Sequence, residues 1–515
     1  MNALISSRLT FSKASARILA RTFASSAPRA KISKILNSTD EAVAKSGLKS
    51  GDIVLAGGFG LCGIPDTIID SILKQKSSIK DLTIVSNNAG VDGKGLGKLL
   101  NSGQVSKAIV SYIGENKFFE KLYLTGEISL QLTPQGTIAE RLKAAASGVP
   151  AFYTPAALNT VVEHGQLPIR YNPDGTVMTY SEEKETRIFD GKRYLLEHAL
   201  VGDVGIIKAY KADRLGNCVF HSTAHNFNGV MARAAKMTIV EADHIVEVGE
   251  LSPNEITIPG IYVNYVVQSL NPHQFERLEF AKESTEVEHH DVKDMSKKEK
   301  IARRAALEFK EGMYVNLGIG VPIMAASYAD PNIDMQLQSE NGVLGLGGLP
   351  RPGEEDPDTI SAGKAAATLT KGASVFGSEE SFAMIRAGKM DMAMLGAMEV
   401  SKDGDLANWF IPGKVKGMGG AMDLVANPEK TRVVVCTDHV DKFGRPKIVE
   451  ECSLPITGAK VVSRIISDMA VFDVDHNSGL LLREVAPGLT VDDIKAATGT
   501  SFQVASDLKT IEYAP

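Results

Sequence analysis

At 515 residues the chain exceeds one ordinary domain and can bury large cores. Hydrophobic residues at 43% and charged residues at 23% are those of a water-soluble globular protein, and a formal net charge of -6 argues against a nucleic-acid binder. No apolar run reaches membrane-span length, and 6% aromatic residues fit α/β layers better than an all-β sandwich.

Residues 1–30 stand apart. They carry Arg8, Lys13, Arg17, Arg21 and Arg29, many Ser and Ala, and no acid before Asp40. Leu4, Ile5, Leu9, Phe11, Ile18 and Leu19 can share one helical face, with charges interrupting any secretory apolar core. This composition predicts a mitochondrial presequence and a matrix location. Without those residues, which carry five positive charges, the net charge falls to about -11. The tripeptide Asn37-Ser38-Thr39 matches a glycosylation acceptor but follows no secretory signal. Cys62, Cys218, Cys436 and Cys452 are scattered, without C-x-x-C spacing, and read as reduced core thiols.

The pattern over 40–49 predicts a short amphipathic helix ending near Gly47. Ile53-Val54-Leu55-Ala56 reads as a buried strand leading into Gly57-Gly58-Phe59-Gly60-Leu61-Cys62-Gly63-Ile64-Pro65. Asp66 is placed to cap a helix whose apolar face is Ile68, Ile69, Ile72 and Leu73. Leu82 to Val85 is a second strand, ending in Ser86-Asn87-Asn88-Ala89-Gly90. Strands alternating with helices predict parallel α/β architecture. Residues 281–297 are polar and highly charged and read as a surface linker, with a helix from about Ser296. His289 and His290 lie in it without a ligand cluster, so no metal is expected.

Beyond the linker the chain repeats itself. Tyr314-Val315-Asn316-Leu317-Gly318-Ile319-Gly320-Val321-Pro322 echoes the strand, glycine loop and proline of Val54 to Pro65. Ser339-Glu340-Asn341-Gly342 echoes Ser86 to Gly90. The offsets, 257 residues from Pro65 to Pro322 and 253 from Ser86 to Ser339, nearly agree. Leu200 to Asp203 corresponds loosely to Met394 to Ala397, and Met237 to Ala242 to Thr431 to Cys436. The expected fold is therefore α/β: two similar domains with mostly parallel sheets and flanking helices, at 40–280 and 298–515, joined by the polar linker.

The repeat singles out one carboxylate. Met335 to Gln338 alternates as a short strand, Ser339 to Gly342 breaks it as a turn, and Gly345, Gly347 and Gly348 follow. Glu340 stands where the first half has Asn87. Two related halves with one carboxylate between them point to a single active site per pair, at their interface.

These motifs resemble the family I coenzyme A-transferases, and within them the mitochondrial succinyl-CoA:3-ketoacid group. Gly57 to Pro65 looks like the family's first-subunit signature and Ser339 to Gly342 like its second. Leu132-Thr133-Pro134-Gln135-Gly136-Thr137 and Lys416-Gly417-Met418-Gly419-Gly420-Ala421-Met422-Asp423 add to the match. The resemblance implies a fused form of two subunits, a homodimer, acyl-CoA and carboxylic acids as partners, and no cofactor, coenzyme A being a substrate bound covalently in passing. It implies transfer of coenzyme A from succinyl-CoA to acetoacetate in ketone-body catabolism, with Glu340 as nucleophile.

Covalent catalysis splits the hard acyl exchange into easier steps. A carboxylate ordinarily ionised at neutral pH would need no general base. Gln135, Asn88 and Asn316 are expected around Glu340 and the substrate carboxylate as neutral amide donors, and Gly419 and Gly420 as backbone donors to the developing oxyanions. Turn capping is the other reading of the asparagines. Gly345 and Gly347 are expected against coenzyme A, and Lys364 either meets a phosphate of it or is a solvated lysine. The glycine loop lacks the full dinucleotide fingerprint, which excludes an NAD reading. Two alternatives stay open: an acyl-CoA hydrolase, or transferase using acetate or butyrate, on the same scaffold, and a non-catalytic or sugar-phosphate-binding α/β protein.

Overall fold

Seven strands of the first half form one sheet: β1 (Ile53–Ala56), β2 (Leu82–Val85), β3 (Val105–Val110), β4 (Ser129–Leu132), β5 (Gly202–Asp213), β6 (Ala235–Val246) and β7 (Tyr265–Gln268). They are all parallel, in the order β7-β6-β5-β1-β2-β3-β4, and the short strand Cys218–Val219 runs antiparallel on β5. This is a computed structural model, and it describes residues 32–114, 116–281, 294–411 and 413–515. The expected presequence, His289, His290 and most of the linker fall outside the described residues.

The second sheet has ten strands: β8 (Tyr314–Leu317), β9 (Gln336–Ser339), β10 (Val343–Leu346), β11 (Leu369–Val375), β12 (Met392–Leu395), β13 (Arg432–Cys436), β14 (Arg464–Ile466), β15 (Ala470–Asp475), β16 (Gly479–Val485) and β17 (Gln503–Thr510). Their order is β11-β10-β9-β8-β12-β13-β14-β15-β16-β17. The centre, β9-β8-β12-β13-β14, is parallel, and β10, β11, β15 and β16 pair antiparallel at the margins. Central strands such as β12 are buried on both faces, so their sequences are continuous apolar runs rather than alternations.

The repeat is thus a shared topology. The order β7-β6-β5-β1-β2 in one sheet is matched by β14-β13-β12-β8-β9 in the other. The halves part company after the fifth strand of that series. β2 runs on to parallel β3, whereas β9 folds straight back into antiparallel β10.

Helix α1 (Thr39–Lys45) is capped by Ser38, whose Oγ accepts the Glu41 N–H. In α2 (Asp66–Lys74) the N-cap is Pro65, and Asp66 is the first helical residue rather than the cap. Its carboxylate pairs with Lys98 and Asn271 instead. The free N–H groups at the start of α2 donate to buried Glu241 of β6, Thr67 at 2.9 Å and Ile68 at 3.1 Å, so a distant carboxylate caps the helix. The helices that matter below are α3 (Gln135–Ala146), α4 (Asn228–Ala234), α5 (Lys297–Ala306), α6 (Ser378–Arg386) and the single turn α7 (Ala421–Leu424). Ser296 caps α5 where the sequence placed its start. Cys62, Cys218 and Cys436 are buried free thiols, and Cys452 is half-buried.

Within Lys34–Pro515 the halves share a core. Ile138 and Leu142 of α3 belong to the same apolar cluster as Phe382 and Ile385 of α6, Leu55 of β1 and Val433 of β13. A strap after β7 also crosses between them: Arg277 bridges Ala365, and the Ala281 N–H donates to Pro350 O at 2.9 Å. His273 on this strap lies 3.0 Å from Asp243 of the first half and 3.2 Å from Asp358 of the second. These three carry ligand-type atoms at metal spacing. The bonds to Asp243 and Asp358 raise the imidazole to about 10, so both ring nitrogens carry protons and join the halves as an ion pair.

Candidate active site

The turns at the carboxyl ends of the parallel strands of both sheets converge on one cavity of about 550 Å³. That is where open α/β sheets leave room for a ligand. The first half contributes Phe59, Asn87, Tyr112 and Gln135, with Glu276 and Arg277 from the strap. The second half contributes Asn316, Glu340, Lys364, Trp409 and the loop Gly417 to Ala421.

Glu340 occupies the three-residue return between β9 and β10, and the return is held rigidly. The Gly342 N–H donates to Ser339 O at 3.0 Å, and Gly342 adopts φ 107°, a conformation that favours glycine. A Cβ there would lie 2.0 Å from Phe376 O. Asn341 is fully buried and its Nδ2 donates to Ile360 O at 2.8 Å. Ser381 Oγ of α6 donates to Ser339 O at 3.1 Å. The Glu340 carboxylate itself, half-buried at the cavity wall, accepts no hydrogen bond from a described side chain or backbone group. Burial first, and the neighbouring Asp423 carboxylate second, push it up to about 7. Ionisation at neutral pH is therefore only partial, a correction to the expectation of an ordinary carboxylate.

Gly420 lies directly against it: a Cβ on Gly420 would sit 2.1 Å from Glu340 Oε2. Its N–H has no partner among the described residues. Gly419 also lines the cavity, but its N–H donates to Ser111 O of the first half at 3.0 Å. Only Gly420 of this expected pair has a free N–H. Gly417 fits the same crossing, since a Cβ would meet Ser111 O at 2.5 Å.

Gln135 opens α3 and is almost fully buried. Its N–H donates to Gly419 O at 3.0 Å, and its Oε1 lies 3.1 Å from Ser111 Oγ. Its Nε2 is left without a partner. A buried, unspent donor is rare in proteins and common where a substrate completes the set. Asn316 lines the cavity, but its Nδ2 donates to Gln338 Oε1 at 2.6 Å, and Gln338 in turn donates to Ser381. It therefore braces the floor under Ser339. Asn88 is turned out of the cavity wall: its Oδ1 accepts the Gly90 N–H at 2.8 Å, the turn-capping role. Asn87, one residue earlier, lines the cavity in its place.

The expected coenzyme A residues separate. Lys364 lines the cavity, its Nζ 2.8 Å from Glu276 Oε1, and is not a freely solvated lysine. Gly345 and Gly347 do not line it. Gly345 sits at a bulge between β10 and β11 with φ 88°, where a Cβ would meet Ala373, and the Gly347 N–H donates to Thr368 O. Their glycines serve strand pairing. The first-half loop behaves alike: a Cβ on Gly57 would lie 1.9 Å from Asn228 Oδ1 of α4, and only Phe59 of Gly57 to Pro65 reaches the cavity.

Asp423 closes the Lys416 to Asp423 motif, and its sequence context alone marks no role for it. It is fully buried in α7, its Oδ2 accepting the Gly136 N–H at 2.8 Å. Burial pushes it up to about 6, against the pull of Arg386. Trp409, Tyr112 and Glu276 were also unannounced, because nothing in their local sequence marks a residue as facing a cavity formed from distant turns.

The model of the family described as coenzyme A transferase matches residues 36–269 and 298–497. The chain is 51% identical over 476 residues to the mitochondrial succinyl-CoA:3-ketoacid coenzyme A transferase 2B of Mus musculus, covering 92% of this chain and 91% of that one. It is 50% identical over 468 residues to the mitochondrial succinyl-CoA:3-ketoacid coenzyme A transferase 2 of Homo sapiens, covering 90% of this chain and 89% of that one. The crystal structure of an apo acyl-CoA transferase from Escherichia coli O157:H7 superposes with a TM-score of 0.74 over 94% of this chain and 96% of its own, at 22% identity, a likeness of fold.

Proposed function

The chain belongs to the coenzyme A transferase family, and from that premise we propose that it moves coenzyme A from succinyl-CoA to a 3-oxo acid, acetoacetate, through a thioester on Glu340. The observation that carries this reading is the unpaired Glu340 carboxylate in a cavity lined also by Gly420 and Gln135, whose N–H and Nε2 have no partner among the described residues.

The Glu340 carboxylate attacks the thioester carbonyl of succinyl-CoA, and the C–S bond breaks to give a mixed anhydride and the coenzyme A thiolate. The thiolate attacks the Glu340 carbonyl of the anhydride, releasing succinate and leaving a glutamyl-CoA thioester. Acetoacetate attacks that thioester, the thiolate leaves again, and it then attacks the acetoacetyl carbonyl. Acetoacetyl-CoA departs and Glu340 returns as a carboxylate. No proton is gained or lost overall. Each tetrahedral step places negative charge on an oxygen, and the two free donors are where such charge is stabilised without reorganisation. On the cavity wall Lys364 is paired with Glu276, and behind Asp423 Arg386 is bound to Glu140 and Asp423, so neither of these cations forms a fixed ion pair with Glu340.

The protein is mitochondrial, and the composition of residues 1–30 supports the matrix as its compartment. We divide the chain into a presequence (1–30), a first domain (40–280), a linker (281–297) and a second domain (298–515); each large sheet lies within one such domain. A homodimer is the assembly we assign, checked by sedimentation.

The deciding experiment incubates the protein with acetoacetyl-CoA or succinyl-CoA without acceptor and maps adducts by peptide mass. A coenzyme A adduct on the peptide carrying Glu340 is expected. Steady thioester loss with no adduct would instead mean hydrolysis.

A further inference from the structure

The transfer steps above employ Glu340, Gly420 and Gln135 and leave Asp423 without a task. A fully buried carboxylate is costly unless its oxygens are engaged, so its partners show what it is kept for. Oδ2 accepts the Gly136 N–H at 2.8 Å, across the boundary between the halves. Oδ1 lies 3.4 Å from Arg386 Nη1, a long contact, because that guanidinium makes its better bonds to Gly136 O at 3.0 Å and Glu140 at 2.6 Å. The Gly136 residue is thus gripped at its N–H by Asp423 and at its carbonyl by Arg386.

Gly136 follows Gln135 at the opening of α3. A Cβ on Gly136 would lie 2.3 Å from Asp423 Oδ1 and 2.6 Å from the Phe382 ring, so glycine permits the approach. The Gln135 N–H goes to Gly419 O. Two successive N–H groups of the first turn of α3 therefore end on the second half, one on the loop beside Glu340 and one on Asp423. Helix-start N–H groups need outside acceptors, and these come from the half that carries the nucleophile.

We propose that Asp423 is a positioning residue of the transfer reaction: by accepting the Gly136 N–H it locks the opening of α3 to the Gly417–Gly420 loop, so that the Gln135 donor and the Glu340 nucleophile, from different halves, stay in register. The proposal rests on the reading of Glu340 as nucleophile. Register matters because a misplacement of about 1 Å costs on the order of 10²-fold in rate. Asp423 also raises Glu340 electrostatically, which supplies a second readout. The other charged or titratable groups around Glu340 are Arg386 and Glu140 behind Asp423, and Lys364, Glu276, Arg277 and Tyr112 on the cavity wall.

The test measures kcat and KM for the 3-oxo acid across pH in Asp423→Ala and Asp423→Asn, with the Glu340 adduct followed in the wild type. Alanine removes the acceptor, and kcat/KM should fall about 10²-fold. Asparagine keeps an acceptor oxygen for Gly136 and should recover to within about tenfold of wild type, while the acid limb moves to lower pH because a negative charge has gone. Wild-type kcat/KM in Asp423→Ala would overturn the proposal. So would an Asp423→Asn enzyme as impaired as alanine with an unmoved limb. If alanine prevents folding, the asparagine variant decides alone: a kcat/KM more than about tenfold below wild type overturns the proposal. No adduct in the wild type would overturn the glutamyl-CoA reading itself.

Discussion

The same strand end is used in two ways. In the first half β2 ends at Ser86-Asn87-Asn88 and the chain continues to a parallel neighbour; in the second β9 ends at Ser339-Glu340-Asn341 and returns at once as an antiparallel strand. The first turn is a junction: Asn87 O accepts from both Ser111 N and Ser111 Oγ, and Asn87 Oδ1 from Gly60 N. The second turn is a mount, clamped on both sides by Ser381 and Phe376 so that one side chain is held out unbonded. Two copies of one topology thus divide the labour: the second half carries Glu340, which we propose as nucleophile, with the Gly420 N–H beside it, and the first half adds the Gln135 amide. The reacting group comes from the half whose turn is short enough to be fixed by its own hairpin.

Removing the nucleophile tests that division most directly. Glu340→Gln keeps the shape of the turn and should leave no transfer and no coenzyme A adduct, with the thermal midpoint close to wild type. Normal turnover in this variant would mean that the halves do not differ in the way described.

The halves also bury charge differently. In the first, Glu241 is satisfied by the start of α2 and by Ser269 and Lys208. In the second, buried Glu308 is held by three arginines, Arg304, Arg432 and Arg464. Burial pushes the Glu308 carboxyl up, but Arg464, Arg304 and Arg432 win and hold it at about 2. A depressed carboxylate stabilises the fold above its ordinary range and loses that contribution as pH falls from about 4.5 towards 2. Glu308→Ala leaves three arginines facing an uncharged hole and should cost about 3–5 kcal/mol, read by denaturant titration. An unchanged midpoint would show the network to be dispensable.

Gly420→Ala sharpens the comparison at the point where the halves touch. Its backbone, at φ -85°, tolerates alanine, but the new Cβ would overlap Glu340 Oε2. Displacing this donor should cost about 10²–10³ in kcat. Gly348→Ala, in open space at the end of the Gly345 to Gly348 run, should be silent in the same assay.

Titration is the milder probe. With Glu340 at about 7, its charged form is lost as pH falls, so kcat/KM should level off above pH 7 and fall about tenfold per unit below it. A limb at the ordinary carboxylate position, near 4.5, would mean that burial and Asp423 do not act as described.

Much of this was legible in the chain. β1 and β2 fall where their apolar runs do, and β9 is displaced by one residue. The repeat announced a common topology, and the Asn87-to-Glu340 exchange singled out the carboxylate that we propose as nucleophile. Which of several glycines or asparagines reaches the cavity was not legible. Gly345 and Gly347 look like a ligand floor in sequence, yet one forms a bulge and the other a ladder bond, needs that local pattern does not distinguish from ligand approach. Asp423 gained meaning only once α3 was brought against α7, since its partner Gly136 lies 287 residues away.

The Asn87 and Asn88 pair shows the same limit at a single peptide bond and gives the smallest expected effect. Asn87 lines the cavity, and its Nδ2 makes no bond to a described residue. Asn88 Oδ1 caps its own turn at Gly90, while its Nδ2 is buried without a partner. Asn87→Ala therefore removes a group that can meet substrate, and one neutral hydrogen bond, about 1 kcal/mol, predicts a fall in kcat/KM of roughly fivefold. Asn88→Ala removes a turn bond and an unsatisfied donor together. The two partly cancel, so stability should change by less than about 1 kcal/mol and activity hardly at all. Steady-state rates on both variants check this. The reverse ranking would place Asn88 in the cavity and Asn87 in the turn, and the first-half strand would then end one residue later than β2 does here.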